Sequence, residues 1–182
     1  MKRAIGILEV SNNTRGILAA DIMLKASNVE LIEATSICPG KYLIIVTGDV
    51  GAVKSAVENG SKVCAGNVID QYVIANIHES IFPALCATTK IEKLAALGMV
   101  ETYSAAAAIM AADTIAKAAQ VSLIEIRLAR GMGGKAMVLL TGDVGAVQAA
   151  VEAGSQVAEE AGLLVDKHVI PAPHEHLKAS IL

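Results

Sequence analysis

Three groups of residues in this 182-residue chain have side chains or backbone able to do chemistry. They are the thiols Cys38, Cys64 and Cys86, a His-Glu-His run at 174–176 with His168 nearby, and a glycine-rich turn at 47–51. The cysteines are odd in number, widely spaced and without a CxxC pair, so a disulfide framework is not expected. Cys64 follows Val53, Val57 and Gly60 along one helical face and reads as a core thiol. Cys86 is given no role. Cys38 lies in Ser36-Ile37-Cys38-Pro39-Gly40-Lys41, where Pro39 and Gly40 fit a turn and put the thiol at an exposed tip. His168, His174 and His176 with Glu175 could contribute to a metal site, but no matching ligand set stands elsewhere; they read as surface or interface histidines. A strand-turn-helix with glycine can cradle phosphate. In Thr47-Gly48-Asp49-Val50-Gly51, however, Asp49 puts negative charge where the phosphate would sit, and neither GxGxxG nor GxxxxGK[ST] is present. Arg130-Gly131-Met132-Gly133-Gly134-Lys135 misses both patterns too. Without GxSxG, HExxH or a placeable carboxylate pair, no enzymatic activity is expected.

The elements that position these residues come in two sets. TGDVGAV occurs letter for letter at 47–53 and 141–147. Around it, Ile5-Gly6-Ile7-Leu8-Glu9 returns as Leu97-Gly98-Met99-Val100-Glu101, Ala19-Ala20-Asp21 as Ala111-Ala112-Asp113, and His78-Glu79 as His174-Glu175. Two short insertions separate the copies, one before Lys135 and one around 159–161. The loop with Cys38 therefore matches the one with Met132, so only one copy carries the thiol. Two fused domains of about 90 residues each are expected, 1–90 and 91–182, with 87–95 as the connecting stretch. In the first, strands are expected over 3–10, 29–37, 42–47 and 68–74, with helices over 14–27 and 50–65. The second repeats this order over 97–103, 105–119, 122–129, 136–141, 144–160 and 164–170, and brief helices are expected near 79–86 and 174–181. The fold class is α/β in the α+β sense: two tandem split-βαβ domains, each a mostly antiparallel four-stranded sheet with flanking helices. Asp49, Asp143 and Ser104 stand where N-caps are needed. Asp21–Lys25 and Asp113–Lys117 have the favourable acid-first spacing of four.

Composition narrows the function. Hydrophobic residues make up 54%, but aromatics only 2%, so the core is built from Ala, Val, Ile and Leu. Such side chains suit flat, repetitive interfaces. The net charge of -3, without a basic run or stacking aromatics, argues against nucleic-acid binding. No apolar stretch reaches the roughly 20 residues of a membrane span; the Ala-rich run at 105–112 meets Asp113. The N-terminus meets Glu9 too early for a signal-peptide core. A cytoplasmic location is expected.

At this point the motifs AIGILE at 4–9, AADIMLKASNVEL at 19–31, GDVGAV at 48–53 and IPAPHE at 170–175 resemble those of bacterial microcompartment shell proteins of the tandem-domain class, in ordinary element order. LGMVET at 97–102 and AADTIAKAAQVSL at 111–123 repeat the resemblance. It implies a homotrimer of six domains, a pseudo-hexameric tile that joins other shell proteins around enclosed enzymes. It implies a central pore lined by Ser36, Ile37, Cys38, Pro39 and Gly40 from one copy and Arg130, Gly131, Met132, Gly133 and Gly134 from the other. It implies tile-edge positions for Lys25, Lys117, His174 and, on a weaker match, His78. ICPGK at 37–41 resembles the propanediol-utilisation branch, in which the matching cysteine from three subunits binds an iron–sulfur cluster; a [4Fe-4S] cluster on Cys38, exchanging electrons with an enclosed or cytosolic redox enzyme, is the expectation. A metal-free tile with a metabolite pore and a small-molecule-binding regulatory domain are the alternatives.

Overall fold

The computed structural model describes residues 4–181. Arg3, expected to open the first strand, lies outside them. The elements run β1 (Ala4–Val10), α1 (Asn13–Ala26), β2 (Glu30–Ile37), β3 (Lys41–Gly48), α2 (Val50–Val63), β4 (Val68–Ile74) and α3 (Ile81–Leu85). The second set is β5 (Ala96–Thr102), α4 (Ala105–Ala118), β6 (Ser122–Arg127), β7 (Ala136–Gly142), α5 (Val144–Glu160) and β8 (Leu164–Ile170). A 3-10 turn (Glu175–Leu177) and α6 (Lys178–Ile181) close the chain. The sheets are ordered β2-β3-β1-β4 and β6-β7-β5-β8, and every pairing is antiparallel. This is the expected split-βαβ plan, twice. Even the irregularities recur: register shifts at Glu9/Val10 and Leu31/Glu33 return at Glu101/Thr102 and Leu123/Glu125.

The chain forms two compact units, and each carries a short piece of the other repeat. Unit 1 is the chain through Ile77 together with Ala129–Gly134; unit 2 is His78–Leu128 with the chain from Lys135 onward. The division therefore falls at 77/78, not at 90/91. The reason is burial: α3 packs on β6, and its Ile81 and Ala84 are wholly buried.

Glycines in the strands and helices set how closely the layers approach. A Cβ on Gly6 would lie 2.7 Å from both Val53 and Val57, so β1 takes α2 directly against its backbone. Gly98 does the same in β5, with Leu140, Val147 and Val151 each at 2.8 Å. Around the first contact, Leu8, Val10, Met23, Ile44, Val46 and Ala56 form a closed apolar cluster, each larger side chain contributing about 1.5–3 kcal/mol. The repeats solve one contact differently. Gly16 leaves room for Tyr42, whose side chain would stand 2.4 Å from a Cβ there. Unit 2 has Ala108 and Ala136 at the matching positions, both fully buried. Among the described residues, no helix is long and apolar enough to cross a membrane.

Ser104 caps α4 as expected, accepting from the Ala107 N–H at 2.9 Å. Asp49 and Asp143 occupy the N-cap positions of α2 and α5, but neither side chain accepts a cap bond. Both are exposed, and their charge faces the positive end of the helix dipole from solvent. The buried polar member of TGDVGAV is the threonine. The Thr47 hydroxyl donates to the Ala4 carbonyl at 2.9 Å and the Thr141 hydroxyl to Ala96 at 2.8 Å, tying each third strand to the first.

Gly6→Ala is expected to destabilise the protein by about 1–3 kcal/mol, because Val53 and Val57 cannot both withdraw. Gly51→Ala, with open space around its Cβ, is expected to be neutral or stabilising by up to about 1 kcal/mol. Thermal and urea unfolding of the two variants checks both signs.

Candidate functional site

Unit 1 brings the two expected pore loops together. Ile37–Gly40 is a tight turn closed by the Gly40 N–H donating to the Ile37 carbonyl at 3.0 Å, with a cis bond before Pro39. The 129–134 loop lies on it. The Cys38 N–H donates to the Ala129 carbonyl at 3.0 Å. The Lys41 ammonium donates to the Gly134 carbonyl at 3.2 Å and forms an ion pair with Glu9. Arg130 reaches Glu33 at 3.0 Å. Gly134 sits at φ 90°, and a Cβ there would lie 2.9 Å from the Pro39 ring and 3.0 Å from the Cys38 carbonyl. Only glycine meets both demands.

This packing alters the expected position of Cys38, which is half-buried, not an exposed tip. Its amide is held under Ala129. Ser36, Pro39, Gly40, Arg130, Gly131 and Gly133 are exposed, Met132 is half-buried, and Ile37 and Gly134 are buried. Among the described residues, no group of three or more His, Cys, Asp or Glu side chains could hold a metal ion within one chain. Cys38 is thus a single donor per chain, and only several copies could complete a thiolate set around it. Cys64 is fully buried at the end of α2, with its Sγ 3.4 Å from the Arg15 carbonyl oxygen. Burial pushes its thiol pKa up, which keeps it protonated and inert. Cys86 is exposed. His174 and His176 stack edge to face at 5.0 Å on the surface, and His168 pairs with Asp166 at 3.2 Å.

The four expected edge residues divide between the units. In unit 2, Asp113 gathers two of them: it binds Lys117 and accepts the His78 N–H at 2.8 Å. In unit 1, Lys25 pairs with Asp21 at 2.7 Å in solvent, while His174 belongs to unit 2. Sequence reasoning missed the Glu9–Lys41 pair. Its signal was the recurrence of an acid late in the first strand and a lysine opening the third, at Glu101 and Lys135. In unit 2 that pair spans 2.6 Å. The hydrogen bond to Glu101 raises the Lys135 pKa above the ordinary lysine value. The pair's contribution is therefore whole below the ordinary value and lost as pH rises through the raised one.

The BMC domain family matches residues 4–77 and 96–173. The bacterial microcompartment shell protein PduT of Citrobacter freundii is 45% identical over 177 residues, 97% of this chain and 96% of its own length. The shell protein EutM of Salmonella typhimurium is 43% identical over 83 residues, which is 46% of this chain and 84% of EutM. A crystal structure of a microcompartment protein from Desulfitobacterium hafniense DCB superposes with a TM-score of 0.90 at 49% identity, covering 98% of this chain and 99% of that one.

Lys41→Met takes the Lys41 cation from the Glu9 carboxylate, which is wholly buried, and is expected to cost about 3 kcal/mol. Lys25→Met breaks a pair in solvent and is expected to change stability by less than about 0.5 kcal/mol. Urea unfolding monitored by far-UV circular dichroism distinguishes the two.

Proposed function

This chain belongs to the BMC domain family, and on that premise we propose that it is a structural shell protein that closes as a homotrimer into a six-domain, pseudo-hexagonal tile. The observation that carries the reading is the pair of BMC domain matches, one after the other, together with the 45% identity to the shell protein PduT over 96% of its length. Each domain has a sheet and flanking helices, and EutM, a shell protein of little more than half the length, matches one half of the chain. A repeated domain whose contacts run head to tail forms a ring when its rotation closes. Fusing neighbours halves the number of chains and lets alternate positions differ. The tile would sit in the shell of a microcompartment in the cytoplasm, joined to other shell proteins through edges that include Lys25 and Lys117. Its role is that of a wall component and not of an enzyme.

The difference between alternate positions is greatest at the centre. Only the first repeat presents a thiol on its hub turn, and the second presents Met132. In a threefold ring, Cys38 from each copy would supply three thiolates. That donor set suits a [4Fe-4S] cluster whose fourth iron takes a ligand from outside this turn. Such a group would supply one-electron transfer across the shell to a redox enzyme. The chain's own contribution is to hold Cys38 in place: its amide is bonded to Ala129, and the turn is pinned through Lys41.

Electron microscopy and native mass spectrometry are expected to show trimers and flat hexagonal sheets; a monomer at micromolar concentration overturns the tile. After anaerobic reconstitution, iron and sulfide are expected at about one cluster per trimer, and at none in Cys38→Ser. Equal cluster content in that variant, or colourless wild-type trimer, removes the cluster and leaves the tile with an open or plugged pore.

A further inference from the structure

Residues at matching positions of the two repeats differ sharply in exposure, and the differences share one pattern. In unit 2 the stretch from His78 through α3 covers α4 and β6: the His78 N–H caps Asp113, and Ile81 is fully buried. Leu123 on β6 is 1% exposed and the Asp113 side chain 7%. The matching surface of unit 1 is bare. Leu31 on β2 is 45% exposed and the Asp21 side chain 53%. Ile17 on α1 is 58% exposed, whereas its counterpart Ile109 is fully buried. The segment that would match His78–Ile81 is His174–Leu177, at the other end of the chain, and its Leu177 is 36% exposed where Ile81 is 0%.

The hub contact is unequal in the opposite sense. In unit 1, Lys41 binds Glu9 and the carbonyl of Gly134, the residue before Lys135; the pair's side chains are 12% and 0% exposed. In unit 2, Lys135 and Glu101 form the same pair at 40% and 26% exposure. The matching carbonyl is that of Gly40, the residue before Lys41, and it lies in unit 1. Each unit thus has one complete contact and one incomplete contact.

We infer that the two incomplete contacts complete each other between two copies of this chain. The outer face of α1 and β2 in one copy receives the 174–177 segment of a second copy, with Asp21 accepting the His174 N–H and Leu177 lying over Leu31. Lys135 of that second copy takes the Gly40 carbonyl of the first. The inference rests on the ring proposed above and names the groups that close it. The occupant is a second copy because the chain already holds both contacts in their finished form, His78 on Asp113 and Gly134 on Lys41. Heterologous docking requires the same two patches at every junction. It also places three Gly40 carbonyls, two residues from Cys38, each under a lysine of the neighbouring copy, so the hub turn is pinned from both sides only in the assembled protein.

Sedimentation equilibrium on the full chain tests this with two variants, Leu31→Glu at an exposed position and Lys135→Met at a half-buried one. Each is expected to raise the concentration for half-association by about tenfold or more, while the far-UV spectrum of the dissociated chain stays that of the wild type. Leu123→Glu, at the matching buried position, is expected to lower the unfolding midpoint of the chain itself. Wild-type association in both Leu31→Glu and Lys135→Met overturns the assigned contacts and leaves the ring reading standing. A wild-type chain that never associates overturns both.

Discussion

The constraint on which the rest of this structure depends is the burial of the Glu9 carboxylate at the end of a central strand. A charge removed from water must find a cation and further hydrogen bonds. Lys41 supplies the cation from the neighbouring strand, and the same ammonium takes the Gly134 carbonyl from a loop far along the sequence. One ammonium therefore satisfies the strand and fixes the loop. The turn carrying Cys38 lies between the two ends of that interaction, so its position follows from an electrostatic need in the sheet.

The second organising fact is that neither repeat is finished by its own residues. The 129–134 loop completes unit 1 and the stretch from His78 completes unit 2. In a ring of fused pairs, half of such junctions are joined covalently and form at an effective concentration set by the linker. The rest form only by association. In such a ring the fusion would halve the number of junctions that have to form by association.

Much of this was legible in the sequence because duplication lets one half check the other. The strand and helix order, the glycine turns and the two insertions all follow from aligning the halves, and β4, α5 and β8 fall where the hydrophobic pattern puts them. What escaped were facts of long-range packing. Asp49 has the residue type of an N-cap, yet its side chain makes no cap bond, while Thr47 two residues earlier carries the buried hydrogen bond. Cys38 has the flanking residues of an exposed tip, yet the loop beginning at Ala129, far along the sequence, lies on its amide. The 78–90 stretch follows the first repeat but packs with the second unit, because β6 offers Ile81 and Ala84 a buried place. Local pattern cannot report which distant surface is missing a partner.

The exchange of Gly16 and Tyr42 for Ala108 and Ala136 has a consequence for swapping segments between the halves. Copying the α4 segment over α1 would place a methyl group 2.4 Å from the Tyr42 side chain. An alanine brought in at position 16 without a smaller residue at position 42 puts a steric clash in the core. The first helical segments of the two halves, α1 and α4, are therefore interchangeable only together with the third strand that faces each.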